Sequence, residues 1–387
     1  LKPGNYMMDF AIRSQGLNNV INSGQDVLLD WQLKAYRHSK SISYENRYTE
    51  LQWMYEGDND DSSGQGSLEE DEDVDIDWIA FRQHFFTSIL LTDAPFEKAK
   101  FTSENLVKDE DVDTTYLKSF AANIPLKLKG GELNENLNWY YGPTDYKILN
   151  DYDRDLDEIV PLGWGIFGWI NKGLIIPFFN FLISFLPAGI AIIFLTISVK
   201  LLLSPVQYKQ YVSQAKMKVL RPEINEINEK YKDNAMKKQQ ETMKLYSKAG
   251  ASPLSGCIPG LLQIPVFYAL FTFFPSAFAL RHKSFLWADD LSSYDKIADL
   301  PFHIPFYGDH VSLFTLLMTL STLLYTKMNA SMATGQMAQM KWMMYLMPIM
   351  FLGFFNNYAA GLSYYYFLAN MITFSQQYFM KRLVDED

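Results

Sequence analysis

The chain has 387 residues, which is long enough for two domains, and its single cysteine, Cys257, excludes an internal disulfide. Residues 1–160 hold 15 Lys and Arg against 31 Asp and Glu, a net charge of −16. Residues 161–387 hold 19 against 13, a net charge of +6. Because the acidic part is polar and the basic part is apolar, the composition predicts a soluble domain followed by a membrane-embedded one.

Residues 1–160 carry short runs of aromatic and branched residues, such as 27–29, 49–55 and 85–91, separated by polar and Gly/Pro breaks. This spacing predicts an antiparallel β-sandwich. The segment Glu56–Asp77 contains eleven acids and no base, so we expect a flexible loop there. It lacks the glycine and ligand spacing of a calcium loop, which makes a metal site the weaker interpretation.

Residues 161–186 are apolar but are interrupted by glycines and by Lys172. Trp164, Phe167 and Trp169 lead this segment. Aromatic residues with a scattered polar face are typical of a helix that lies in the membrane interface, and this is the prediction for the segment.

Ala188–Leu203 is the first predicted membrane span, and it contains Lys200. A lysine in the middle of an inserting helix costs roughly 2.5 to 3.5 kcal/mol, so such residues usually face a polar interior. Two interpretations are open. Lys200 either faces a wet cavity between helices, or extends its ammonium to the lipid headgroups near the end of its span.

Residues 205–252 hold ten Lys and Arg against five acids, with apolar residues at helical spacing, which predicts a helical hairpin outside the membrane. The positive-inside rule makes this hairpin cytoplasmic and the acidic domain extracytoplasmic. Residues 187–387 then form a five-span bundle. The other four predicted spans are Cys257–Phe274, Val311–Thr326, Trp342–Tyr358 and Leu362–Phe379.

Polar residues recur along three of the spans in steps of three and four, which places them on one face of each helix. The first seam is Thr196, Lys200 and Ser204; the second is Ser312, Thr315, Thr319, Thr322 and Thr326; the third is Ser363, Tyr366, Asn370, Thr373 and Gln377. Hydroxyl residues alone would suit ordinary helix packing. The amides and the ammonium need further partners, which favours a hydrated groove among these helices.

The sequence contains no His-Glu-x-x-His, Gly-x-Ser-x-Gly or phosphate-binding loop. We therefore expect neither an enzyme nor a metal or cofactor site. The remaining candidates are an insertase, a secondary transporter that uses the same cavity for a small anion, and a scaffold whose outer domain binds a partner. Internal repeats, which are frequent in transporters, are not visible.

Four stretches resemble the YidC membrane protein insertases: residues 141–147, the lysine-bearing span that ends at Ser204-Pro205, residues 252–265, and residues 361–370. The resemblance implies an inner-membrane protein with a large periplasmic β-sandwich, five core spans, a cytoplasmic hairpin and a hydrophilic groove. The anchor helix that precedes the β-sandwich in Gram-negative members is expected to lie outside this sequence.

The resemblance also implies roles for single residues. Thr196 and Tyr366 match positions that line the groove or meet the client. Many members carry arginine where this chain has Lys200, and lysine keeps the charge but loses the planar guanidinium. Expected partners are nascent membrane proteins, lipids, the Sec translocase, and a ribosome or targeting factor docked on the hairpin through basic residues such as Lys237 and Lys238.

Overall fold

The computed structural model describes residues 4–17, 20, 27–57, 59–110, 112–232, 234–249, 258–330 and 341–386. The chain divides into two units, Leu1–Pro161 and Leu162–Asp387.

Within the described residues, the first unit contains eight antiparallel strands and two short α-helices. The strands are β1 (Met7–Arg13), β2 (Val27–Tyr36), β3 (Glu50–Tyr55), β4 (Asn59–Ser63), β5 (Leu68–Arg82), β6 (Phe86–Asn105), β7 (Tyr116–Leu126) and β8 (Asn134–Pro143), and the helices are α1 (Ile42–Arg47) and α2 (Tyr146–Asn150). The strands pair in the order β1-β8-β6-β5-β3-β4, and β7 joins β2 to β6. The predicted antiparallel β domain is confirmed.

Strand β6 is 20 residues long and serves two halves of the sheet. Its first half pairs with β8 and its second half pairs with β7. Trp31 of β2 stacks on Phe81 of β5 with ring centroids 3.7 Å apart, although β2 pairs with β7 and not with β5. The sheet therefore folds over, and its two halves enclose one core that includes Trp53, Phe101 and Phe120.

The prediction of a flexible loop over Glu56–Asp77 is wrong, because most of this segment lies in β4 and β5. On β5, Glu72 forms an ion pair with Lys100 at 3.2 Å, and Asp73 accepts a hydrogen bond of 2.6 Å from Trp53 Nε1. Counting charges shows only that the acids repel one another. Backbone hydrogen bonds to β3 and β6 nevertheless hold the segment in the sheet, and a charge count gives no information about them.

A buried lysine and a carboxylate fix the turn between β4 and β5. Lys118 of β7 is 2% exposed, and its ammonium donates to the carbonyl of Thr49 at 2.6 Å and to that of Gly64. Burial lowers the pKa of Lys118 to about 8. Burial acts to raise the pKa of Glu69, but hydrogen bonds from the backbone N–H groups of Gly64 and Gly66 outweigh it and leave that pKa below its usual value.

The second unit is mainly helical. Its described elements are α3 (Ile166–Ile170), a π-helical turn (Asn171–Ile175), α4 (Ile176–Ile183), α5 (Ala188–Val219), α6 (Arg221–Lys230), α7 (Ala235–Lys248), α8 (Ile258–Ser276), β9 (Ala298–Ile304), β10 (Gly308–Val311), α9 (Leu313–Ala330), α10 (Lys341–Phe355) and α11 (Ala360–Glu386). The Asn171 side chain is buried and donates to the carbonyl of Ala269 at 2.8 Å and to the Thr272 hydroxyl at 3.0 Å, which fastens the π-helical turn to α8.

Helix α5 continues through Pro205, where the sequence predicted the first span to give way to the hairpin. Proline has no N–H for the carbonyl of Leu201, four residues earlier. The Ser204 hydroxyl donates to that carbonyl at 2.8 Å instead. The helix therefore passes its proline with this acceptor satisfied, and residues 205–219 belong to α5.

The basic segment that follows contains two helices, α6 and α7, as expected for a hairpin. Ile224 and Tyr246 are buried between them, with Leu220 and Leu245 packed alongside. The Asn234 side chain caps α7 by accepting from the Lys237 backbone N–H at 3.0 Å. Asp233, which precedes this cap, lies outside the described residues.

Two described helical stretches are long and apolar enough to cross a bilayer, Ile166–Ile183 and Ala188–Ser213. Leu313–Met328 and Trp342–Phe355 are apolar but shorter. The count of five spans and the interfacial position of residues 161–186 stay predictions.

Candidate functional site

Lys200 is 5% exposed, and its ammonium donates to the Thr373 hydroxyl on α11 at 3.0 Å. Thr373 in turn donates to the carbonyl of Ala369 at 2.7 Å. A lysine ammonium has three protons to donate, and in the described part of the chain only this one is engaged. The cation is therefore held against a neighbouring helix, has no carboxylate partner there, and keeps most of its donor capacity.

Lys200 lines a cavity of about 130 Å³. Its described lining comes from α5, α8, α9 and α11 and consists of Lys200, Gln207, Gln210, Tyr211, Gln263, Tyr325, Asn370, Thr373, Gln376, Gln377 and Met380. Lys200 is the one charged residue in this lining. The cavity is thus polar, nearly neutral, and positive at a single point.

Side-chain hydrogen bonds join the helices around the cavity. The Asn370 amide donates to the hydroxyls of Ser321 and Thr322 on α9, both at 2.9 Å. The Gln376 amide donates to the carbonyl of Lys200 at 3.3 Å. These bonds hold α9 and α5 against α11 and fix the walls of the cavity.

Some of the predicted groove residues do not line this cavity. Thr196 is buried and donates to the carbonyl of Ile192 in its own helix, and Ser204 donates within α5 as described above. The Tyr366 hydroxyl contacts the carbonyl of Phe267 on α8 at 3.3 Å. Of the predicted groove residues, Lys200, Asn370, Thr373 and Gln377 line the cavity, and Thr322 supports it through Asn370.

The beginning of the α9 seam belongs to a second polar cluster, the Asp295 cluster, formed by Asp295, His310, Ser312, Thr315, Asn356 and Ser363. Ser312 donates to Asp295 at 2.5 Å, and Thr315 lies 3.1 Å from the Ser363 hydroxyl. Thr319 follows on α9, and its buried hydroxyl has no hydrogen-bond partner among the described residues.

Comparison with known proteins agrees with this architecture. Residues 179–387 match the family described as 60Kd inner membrane protein, and residues 1–177 match the YidC periplasmic domain. The chain belongs to the YidC family. It is therefore a member of a family of membrane proteins with a periplasmic domain.

Similar YidC proteins come from several bacteria. The membrane protein insertase YidC of Parabacteroides distasonis is 43% identical over 409 residues, which cover 100% of this chain and 64% of the relative. That of Bacteroides fragilis is 43% identical over 404 residues, covering 100% and 65%. The chain thus spans somewhat less than two thirds of these relatives. A solved structure described as an active YidC insertase with its first transmembrane domain resolved has 19% identity and a TM-score of 0.39, covering 84% of this chain and 82% of that one.

Sequence reasoning missed several lining residues of this YidC chain, including Gln207, Gln210, Tyr211 and Gln376. A signal for two of them was present. The first seam runs from Lys200 through Ser204 to Gln207 and Tyr211 in steps of four, three and four, if the helix continues past Pro205. Because the predicted span ends before Pro205, the prediction does not include this extension.

No group of three or more His, Cys, Asp or Glu side chains suited to a metal ion is found in the described ranges.

Proposed function

We propose that this chain is the periplasmic domain and membrane core of an insertase that helps nascent proteins enter the bacterial inner membrane. The observation that carries the proposal is Lys200, a buried cation without a carboxylate partner in the described part of the chain, in a cavity whose other described lining residues are uncharged and mostly polar. Such a site attracts an acidic polar segment, because a cation in a poorly screened cleft acts at longer range than one in bulk water.

The mechanism needs no energy cofactor. The client's polar segment enters the cavity, where water and side-chain partners reduce the cost of leaving the aqueous phase. Its apolar segment meanwhile moves into lipid, driven by burial of apolar surface at roughly 25 cal/mol per Å². Thr196, Ser204, Thr319 and Tyr366 keep their predicted place along the client's path as part of this proposal, whereas Thr315 is proposed to be structural because it belongs to the Asp295 cluster.

Client charge tests the proposal. Lys200→Arg is expected to preserve insertion, whereas Lys200→Ala impairs it most for clients with acidic translocated segments, and Lys200→Glu impairs those clients further. The assay compares protein-dependent insertion of one acidic and one neutral client of equal hydropathy into proteoliposomes. Lys209→Ala is the matched control, because Lys209 is an exposed lysine on the same helix outside the cavity lining. Equal insertion of both clients by Lys200→Ala would contradict the attraction.

The proposed topology places α6 and α7 in the cytoplasm, the interfacial segment 161–186 at the membrane surface, and the β domain in the periplasm.

Lys237 is exposed on α7 beside Lys238, and the pair is proposed to help dock a ribosome or targeting factor through charge. Replacing both with glutamate should weaken ribosome co-sedimentation at low salt. Unchanged co-sedimentation would leave the hairpin as a connector.

No observation supports the small-anion transporter. The relatives are named as insertases, and the sequence shows no visible internal repeats. The proposed activity requires no catalytic residue.

A further inference from the structure

The cavity lining is dominated by side-chain carboxamides. Six of its eleven described residues are Gln or Asn, and they come from α5, α8 and α11: Gln207, Gln210, Gln263, Asn370, Gln376 and Gln377. A cavity that served only to hold water could be lined by hydroxyl groups, such as those of the Ser and Thr seam on α9. The concentration of one functional group around one space calls for a more specific explanation.

Most of these carboxamides are not engaged. Asn370 and Gln376 use their N–H groups to join helices, but the Gln376 carbonyl oxygen is buried without a hydrogen-bond partner in the described residues. Gln207, Gln210, Gln263 and Gln377 make no hydrogen bond to any described residue, although each has two donors and an acceptor. The walls of the cavity are therefore braced, and among the described residues four of the six carboxamides remain free to bind a client.

A carboxamide is the side-chain counterpart of a peptide group. It offers an N–H and a C=O together, and it carries no charge, so it selects neither acidic nor basic side chains. An extended segment entering a confined space presents the same two groups at every residue, and each costs free energy if it stays unpaired. The free space holds a few waters, so client groups can replace water without displacing protein.

Building on the proposed insertase function, we propose that the cavity carboxamides hydrogen-bond the backbone of an extended client segment, independently of its side chains. Lys200 adds a preference for acidic segments to this general recognition. The two contributions are separable, because one depends on client charge and the other on client backbone N–H groups.

Backbone substitution in the client tests the inference. The probe is a neutral synthetic single-span client in which α-hydroxy acids replace four consecutive residues of the translocated segment, so that esters replace amides and four N–H donors are lost. The measured quantity is the stimulation of insertion by the full-length protein in proteoliposomes, relative to protein-free liposomes. With the wild-type protein, stimulation of the amide client should exceed that of the ester client at least about threefold, as expected for losing hydrogen bonds of ordinary strength.

The double variant Gln207→Ser/Gln377→Ser separates recognition from simple wetness, because serine keeps the cavity hydrated and removes two carboxamides. It should lose part of the preference for amide over ester, because Gln210 and Gln263 remain, while still favouring acidic over neutral clients through Lys200. Gln239→Ser, at an exposed position on α7, should keep the wild-type preference.

Two results would overturn the inference while leaving the insertase intact: equal stimulation of amide and ester clients by the wild type, or an unchanged preference in the double variant. Insertion of the amide client that does not depend on the protein would overturn both proposals.

Discussion

The helical unit contains two polar regions that are built from similar residues but differ in how far their hydrogen-bonding groups are used. In the Asp295 cluster, the carboxylate accepts from Trp287 Nε1 at 2.8 Å, from Ser312 and from the Phe314 backbone N–H at 3.0 Å. Asn356 is equally engaged, donating to the carbonyls of Tyr307 and His310 at 2.9 Å. Around Lys200, one hydroxyl accepts from the ammonium and four glutamines have no described partner.

This difference separates a structural role from a binding role. A saturated network fixes one arrangement, here the β9–β10 hairpin against the ends of α9, α10 and α11, because every change leaves a buried group unpaired. An unsaturated one leaves groups that bind water in the free protein and can exchange that water for the polar groups of a bound molecule. Breaking the Asp295 cluster should therefore cost stability, and breaking the Lys200 cavity should cost function.

Asp295→Ala is expected to have the largest effect on stability. Three buried or partly buried donors lose their acceptor, and the free energy of unfolding should fall by about 3 kcal/mol or more. Thermal unfolding in detergent measures the loss. Asp299→Ala is the control, because Asp299 is exposed and its ion pair with Lys296 lies on the surface, where such pairs contribute little to stability. Similar losses for both variants would contradict a structural role for the cluster.

Lys118 gives a third case, a buried lysine whose carbonyl partners are in place. Its pKa of about 8 lies below the 10.5 of a free lysine, so between these values the unfolded chain binds more protons than the folded one. The free energy of unfolding of the β domain should therefore rise with pH above 8, by up to about 3 kcal/mol. Below pH 8 the full cost of burying the cation remains.

Urea unfolding of the full chain, followed by tryptophan fluorescence at pH 7.5 and 9.5, measures this dependence. Lys118→Met should be less stable at both values, because the carbonyls of Thr49 and Gly64 lose their donor, but it should lack the rise. An identical rise in the variant would assign it to other groups.

Lys200→Met should change stability least. It removes a buried cation that has no carboxylate partner in the described chain and forfeits one hydrogen bond to Thr373, so the two effects nearly cancel. The unfolding temperature in detergent should stay within a few degrees of the wild type or rise. A loss as large as that of Asp295→Ala would mean that Lys200 is structural.

The sequence could predict those site residues that are charged or polar in an otherwise apolar helix. Lys200 was found because a charge in an apolar helix demands a partner, and Asn370 and Gln377 because amides repeat at helical spacing. Gln207 and Tyr211 escape the prediction because proline usually ends a helix, whereas here α5 continues through Pro205 and the Ser204 hydroxyl satisfies the carbonyl that the proline leaves without a donor.

The β domain shows the same limit. Alternating aromatic and branched residues were enough to predict antiparallel strands. The acidic composition of residues 56–77 predicts a loop, because composition gives no information about the strand register that places Glu72 opposite Lys100. Pairing between distant parts of the chain decided the outcome, and no local pattern encodes it.

Photocrosslinking to a stalled client shows whether a client segment enters the Lys200 cavity. A photoreactive residue at Gln377 in the cavity is compared with one at Asp309, an exposed position beside His310 of the Asp295 cluster. With an acidic polar segment stalled before its apolar span, we expect crosslinks from Gln377, their loss in Lys200→Glu, and little or none from Asp309. Crosslinks of equal strength from both positions, or from Asp309 alone, would contradict it.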